Sequence, residues 1–145
     1  MHPAAKIYLE MDSAKQKNIQ IILCEGALRV WEQLVPCNRV YRESVIGSKQ
    51  VLEATLPRDA LAVVMSDGPC DSVEARYREP LAALQDDDIS LPDQAEFAFY
   101  AIRNLFAAHA LHKVVDPWLI ANQALSSIGE ENAISALEEA LRMAC

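Results

Sequence analysis

Three groups of residues in this chain have types and spacings that chemistry could use. His109 and His112 stand three apart, with Asp116 just beyond. Two imidazoles at that helical spacing can face one ligand, so a metal-binding or enzymatic reading can be built on them and nearby carboxylates. Histidine near a helix end also has a plainer use, because positive charge complements the C-terminal end of the helix dipole. That structural use is the expectation, and no metal ligand or cofactor is assigned. The second group is acidic: Glu79, Asp86, Asp87, Asp88, Asp93 and Glu96. The run from Asp86 to Asp93 lacks the glycine and closing glutamate of a calcium loop. A glycosidase-type acid pair is defined by separation in space and cannot be read from a string. The third group, Glu96, Tyr100, Arg103 and Asn104, shares one side of a helix. It is either a polar stripe with Arg103 paired to a carboxylate, or part of a recognition surface, where tyrosine and arginine are favoured anchors. Asn122 and Gln123 read as satisfied structural amides.

The motifs of common enzymes are missing. Gly26, Gly47, Gly68 and Gly129 are scattered, so there is neither a phosphate-binding loop nor a dinucleotide fingerprint. No G-x-S-x-G elbow and no H-E-x-x-H pair occurs. No catalytic residue is assigned, and a non-enzymatic protein is expected.

The elements that would carry these residues are mostly helical. Ser13–Val35 reads as a long buried helix, capped by Ser13 and stopped by Pro36, with a short extra turn before it. Residues Cys37–Leu56 fit either short helices or strands, broken at Gly47. Pro57 opens a helix over Arg58–Met65, and Ser66-Asp67-Gly68-Pro69 turns the chain. Ser72–Leu84 is helical, with Ser72 as cap and Pro80 as kink or break. Ser90 caps the strongest helix, Gln94–Leu111, which is apolar almost all round through Phe97, Phe99, Tyr100, Ile102, Leu105, Phe106 and Leu111. Asp116-Pro117 starts a helix that Gly129 ends, and Glu130–Ala144 closes the chain. The fold class is therefore all-α. Residues 1–145 form a single helical domain, a compact bundle of about five to seven helices around a central apolar helix at 93–112.

Charge narrows the function classes. The net charge of −8 is unevenly placed: Met1–Arg58 carries 8 basic and 6 acidic residues, and Asp59–Cys145 carries 5 basic and 15 acidic ones. Such a chain repels nucleic acid and anionic membranes and attracts basic partners; the plain alternative is a solvated acidic face. Cys24, Cys37, Cys70 and Cys145 form no C-x-x-C pair, and no signal peptide or membrane span is legible. Reduced thiols and a cytoplasmic location are the expectation. Cys24 reads as a small core residue.

The segment Pro92–Ser127, PDQAEFAFYAIRNLFAAHALHKVVDPWLIANQALSS, resembles the closing part of all-helical immunity proteins of bacterial polymorphic toxin systems. The similarity lies in the acid-proline lead-in, the E-F-A-F-Y-A-I helix and the D-P-W-L-I-A-N-Q-A-L helix. The resemblance implies a non-enzymatic protein that binds and neutralises a cognate toxin domain, basic where its target is nucleic acid. It carries no catalytic residue, and no interface residue transfers from it. Charge supplies the interface residues: Asp86, Asp87, Asp88, Asp93, Glu96, Tyr100 and Arg103. A metal-binding or enzymatic bundle using His109 and His112 is the first alternative. A homodimeric interaction or scaffold protein is the second.

Overall fold

The computed structural model describes residues 1–144, so Cys145 lies outside the described residues. In these residues seven helices enclose one continuous apolar core, and the only sheet is a two-stranded hairpin. The chain is all-α, as the helical spacing of its apolar residues predicts.

Helix α1 (Pro3–Glu10) is a two-turn helix rather than a single turn, with His2 accepting from the Ala4 N–H. Helix α2 (Ser13–Leu34) is capped by Asp12 and not by Ser13: the Asp12 carboxylate accepts from the Lys15 N–H at 2.9 Å. Aspartate and serine cap comparably, but the carboxylate adds a negative charge at the positive end of the dipole.

The ambiguous stretch resolves into strands β1 (Arg39–Arg42) and β2 (Lys49–Leu52), paired antiparallel with Val40 opposite Val51 and Tyr41 opposite Gln50. Tyr41 and Leu52 turn inward, while Val40 and Val51 face out. Gly47 takes φ +73° in the connecting turn, a conformation that glycine adopts without a Cβ clash.

Helix α3 (Leu56–Ser66) begins with Pro57 in its first turn and ends on Asp67, whose left-handed φ of 53° reverses the chain. Helix α4 (Asp71–Gln85) starts one residue before Ser72, so Ser72 lies inside it and caps nothing. Asp71 and Glu74 supply the negative charge its first turn favours. Pro80 neither breaks nor ends α4; it sits buried within the helix.

Helix α5 (Asp93–His109) follows Pro92, and Ser90 makes no cap. It ends three residues short of the expected 112, because His112 adopts φ 56° and the Lys113 N–H turns back to the Ala107 carbonyl at 2.9 Å. Helix α6 (Pro117–Ile128) has the predicted cap, Asp116 accepting from the Trp118 N–H at 2.9 Å. Gly129, at φ +107°, separates it from α7 (Glu130–Ala144).

Helix α5 packs against α2, α3 and α6, and α2 packs against α1, α3, α5, α6 and α7. The hub is therefore the α2–α5 pair rather than α5 alone. Ala95, Ala98 and Ala101 are fully buried, letting neighbouring backbones come close. Phe99 meets Tyr77 at a centroid distance of 5.2 Å and Trp31 at 5.6 Å. The Trp31 indole N–H donates to the Ala54 carbonyl at 2.8 Å, fixing the end of the hairpin to α2.

Candidate functional site

Helix α5 is not apolar all round. Successive residues advance about 100° around a helix, so Phe97 and Phe99 differ by about 200° and cannot share a face. Phe99 enters the core, and Phe97 stays 42% exposed. On its side of α5 lie Asp93, Glu96 and Tyr100, and these four residues line an open cavity of about 320 Å³. Asp93 and Glu96 occupy the first turn of α5, where the dipole favours negative charge. An exposed aromatic side chain thus sits between carboxylates.

The α4–α5 loop brings further acid to this face. Asp86 and Asp87 are exposed, and Asp87 takes a left-handed φ of 61°. Burial raises the Tyr100 hydroxyl above its ordinary pKa, and the charges of Glu96 and Asp87 add to the effect. Asp88 turns the other way: it is half-buried and accepts from the Ser44 hydroxyl and from the Ser44 N–H. This joins the loop to the hairpin, whose turn holds Val45 at 94% exposure and Ile46 at 74%.

The turn end of the hairpin is also acidic. The Glu43 carboxyl, within hydrogen-bonding reach, holds Glu79 above the usual carboxylate range. Glu43 accepts from the Gln50 amide at 2.8 Å. The Tyr41 hydroxyl is buried without a hydrogen-bond partner among the described residues. Burial, followed by the charges of Glu79, Glu43 and Asp88, pushes it up to about 12.

Asp93, Glu96 and Tyr100 therefore converge, while the charge of Asp87 acts on Tyr100 from the loop, with Asp86 beside it in sequence. Asp88 serves the hairpin. Arg103 does not join the acidic face; it lines a separate cavity with Tyr77 and Phe106. Among the described residues the predicted pairing of Arg103 with a carboxylate is not made, and Arg103 donates a long hydrogen bond of 3.5 Å to Asn104. The Asn104 amide instead donates to Gln123 at 2.8 Å, a structural link from α5 to α6, while Asn122 is exposed. Sequence reasoning missed Phe97, Val45 and Ile46. The 200° separation of Phe97 from Phe99 was the available signal for the first. The neighbouring Gly47-Ser48 turn was the signal for the other two.

His109 is used structurally, but through a hydrogen bond and not as the positive charge expected at the helix end, because burial favours its neutral form. His109 Nε2 lies 2.7 Å from Gln20 Oε1, and an amide oxygen only accepts, so the imidazole donates there. The Gln20 amide donates to the Tyr8 hydroxyl at 2.9 Å, and that hydroxyl donates to the Pro117 carbonyl at 2.6 Å. This chain links α1, α2, α5 and α6 through buried polar groups that satisfy one another. Burial, then the charges of Lys17 and His112, lowers the His109 pKa. His112 lies exposed beyond α5, and Asp116 is committed to its cap. Among the described residues no group of three or more His, Cys, Asp or Glu side chains is placed to hold a metal ion. No helix among them is long and apolar enough to cross a membrane.

Comparison of the chain with protein-family models, with curated proteins and with solved structures finds no match.

Proposed function

We propose that this chain is a non-enzymatic immunity-type protein, which binds a cognate toxin domain through the acidic and aromatic face of α5 and thereby covers the toxin's working surface. The observation that carries the reading is the exposure of Phe97 among Asp93, Glu96 and Tyr100. A phenylalanine in water forfeits part of the roughly 1.5–3 kcal/mol that full burial of such a side chain contributes, and a partner surface recovers it. Interfaces combine such an apolar centre with a polar rim. The carboxylates around the ring and in the 86–88 loop supply that rim and would speed encounter with a basic partner. Val45 and Ile46 are also exposed, in the hairpin turn that Ser44 ties to Asp88 of the 86–88 loop.

The partner is to be sought in the neighbouring gene, expected to encode a large secreted protein with a variable C-terminal toxin domain. Co-expression should yield a complex of the two chains. Reversing Asp86 and Asp87 to lysine should weaken that complex and steepen the loss at raised salt. Unchanged binding after both reversals would remove the acidic loop from the mechanism, and absence of any complex would remove the immunity reading.

A further inference from the structure

Five basic residues follow Asp59 in the sequence. Two of them are ion-paired: Arg76 with Glu53 and Asp59, and Arg142 with Glu139. The other three, Arg78, Arg103 and Lys113, line one cleft of about 170 Å³, and among the described residues Glu74 is the only carboxylate that lines it with them. None of the three makes an ion pair among the described residues. They come from three different places: Arg78 from α4, Arg103 from α5, and Lys113 from the segment after α5. The left-handed turn at His112 and the bond from the Lys113 N–H to Ala107 set where that last segment lies.

In the half of the chain that is strongly acidic, three cations against a single carboxylate around one concavity are out of keeping with their surroundings. Bringing them together costs mutual repulsion, which an anion between them would reverse. The rest of the wall is apolar, with Leu81, Phe106 and Leu111 beside Tyr77. The Tyr77 hydroxyl is buried with no hydrogen-bond partner among the described residues, and after burial the positive charge of Arg103 is the strongest influence on it.

We infer that this cleft between α4, α5 and the 110–113 segment binds a small organic anion, a carboxylate or phosphate group carried on a short apolar body. The guanidinium of Arg103 or Arg78 offers the planar paired donors that either group accepts, and Lys113 supplies a mobile point charge at the rim. The apolar wall takes the remainder of the ligand. This site is separate from the Phe97 face, so either assignment can fail without the other.

The test is a titration of the intact protein, followed by amide NMR shifts, with four probes: benzoate, phenyl phosphate, inorganic phosphate and uncharged benzyl alcohol. Benzoate or phenyl phosphate should bind saturably, with shifts centred on Tyr77, Arg103 and Lys113, and benzyl alcohol should not. Losing one charged hydrogen bond should raise Kd about tenfold or more in Arg103→Gln. Lys113→Gln, at an exposed position that does not threaten folding, should weaken binding in the same direction. Failure of both organic anions to bind at millimolar concentration overturns the inference. So does affinity unchanged in both variants. Inorganic phosphate binding as tightly as phenyl phosphate overturns the assignment of an organic ligand.

Discussion

Phe97→Ala and Phe99→Ala remove the same ring, two residues apart, from opposite faces of α5, and they should have opposite consequences. Phe99 is fully buried and meets Tyr77 at 5.2 Å, Trp31 at 5.6 Å and Tyr100 at 6.0 Å between ring centroids. Truncating such a residue costs about 3–5 kcal/mol. Its edge-on pairing with Tyr77, a geometry that contributes about 0.5–1.5 kcal/mol beyond burial, places Phe99 in the upper part of that range. Total stability of a domain is about 5–15 kcal/mol, so the variant should lose a large share of it. With a urea dependence of about 2 kcal/mol per molar, its midpoint should fall by about 1.5–2.5 M. Phe97 is 42% exposed, so its truncation should cost less than about 1 kcal/mol and move the midpoint by less than about 0.5 M. Urea unfolding followed by far-ultraviolet circular dichroism and by tryptophan fluorescence measures both, since Trp31 touches Phe99 directly. Equal midpoint shifts in the two variants, or a Phe99→Ala cost below about 1 kcal/mol, would refute the orientation of α5 on which the candidate face depends.

Three further outcomes follow from the packing. Gly129→Ala should destabilise by about 1–3 kcal/mol in the same urea assay, because φ +107° with ψ 145° lies in a region held essentially by glycine; the nearby Gln94 amide, at 3.2 Å from an added Cβ, can swing aside and adds little. Tyr8→Phe should cost about 1–3 kcal/mol, because it leaves the Pro117 carbonyl and the Gln20 amide without their partner. His109 has a lowered pKa, so its neutral form is favoured by folding. Its contribution is complete above the unfolded value of about 6.5 and is lost as pH falls through the lower folded value. Urea midpoints of the native protein should therefore drop more between neutral and mildly acidic pH than those of His109→Gln; equal slopes would show that His109 does not titrate between the two states.

The helical architecture was legible where strong local signals agreed. Asp116-Pro117 predicted its helix start because cap and proline act on adjacent positions and need no tertiary help. The caps assigned to Ser13, Ser72 and Ser90 differ from those observed for a common reason, although the helix start at Ser13 itself agrees. Aspartate or proline stands within three residues of each serine, and either can open a helix, so local chemistry leaves the boundary undecided. The hairpin was hidden because Val40 and Val51 are apolar yet face water, which erases the alternation that marks a half-buried strand. On the candidate face, residue type alone placed Phe97 in the core, and only the helical angle relative to Phe99 contradicts that. Arg103 could not be assigned from its neighbours in sequence. Its surroundings are set by α4 and by the turn at His112, both distant from it along the chain or outside its own helix.

The most direct measurement is the affinity of the purified protein, by calorimetry, for the toxin domain proposed to be encoded beside it, comparing the native chain with Phe97→Ala and Glu96→Lys. The native pair should bind tightly, with affinity falling as salt rises. Each variant should bind at least about tenfold more weakly while keeping its urea midpoint near the native value. Native affinity in both variants, or no binding by the native chain, would contradict the assignment of the α5 face as the surface on which this protein acts.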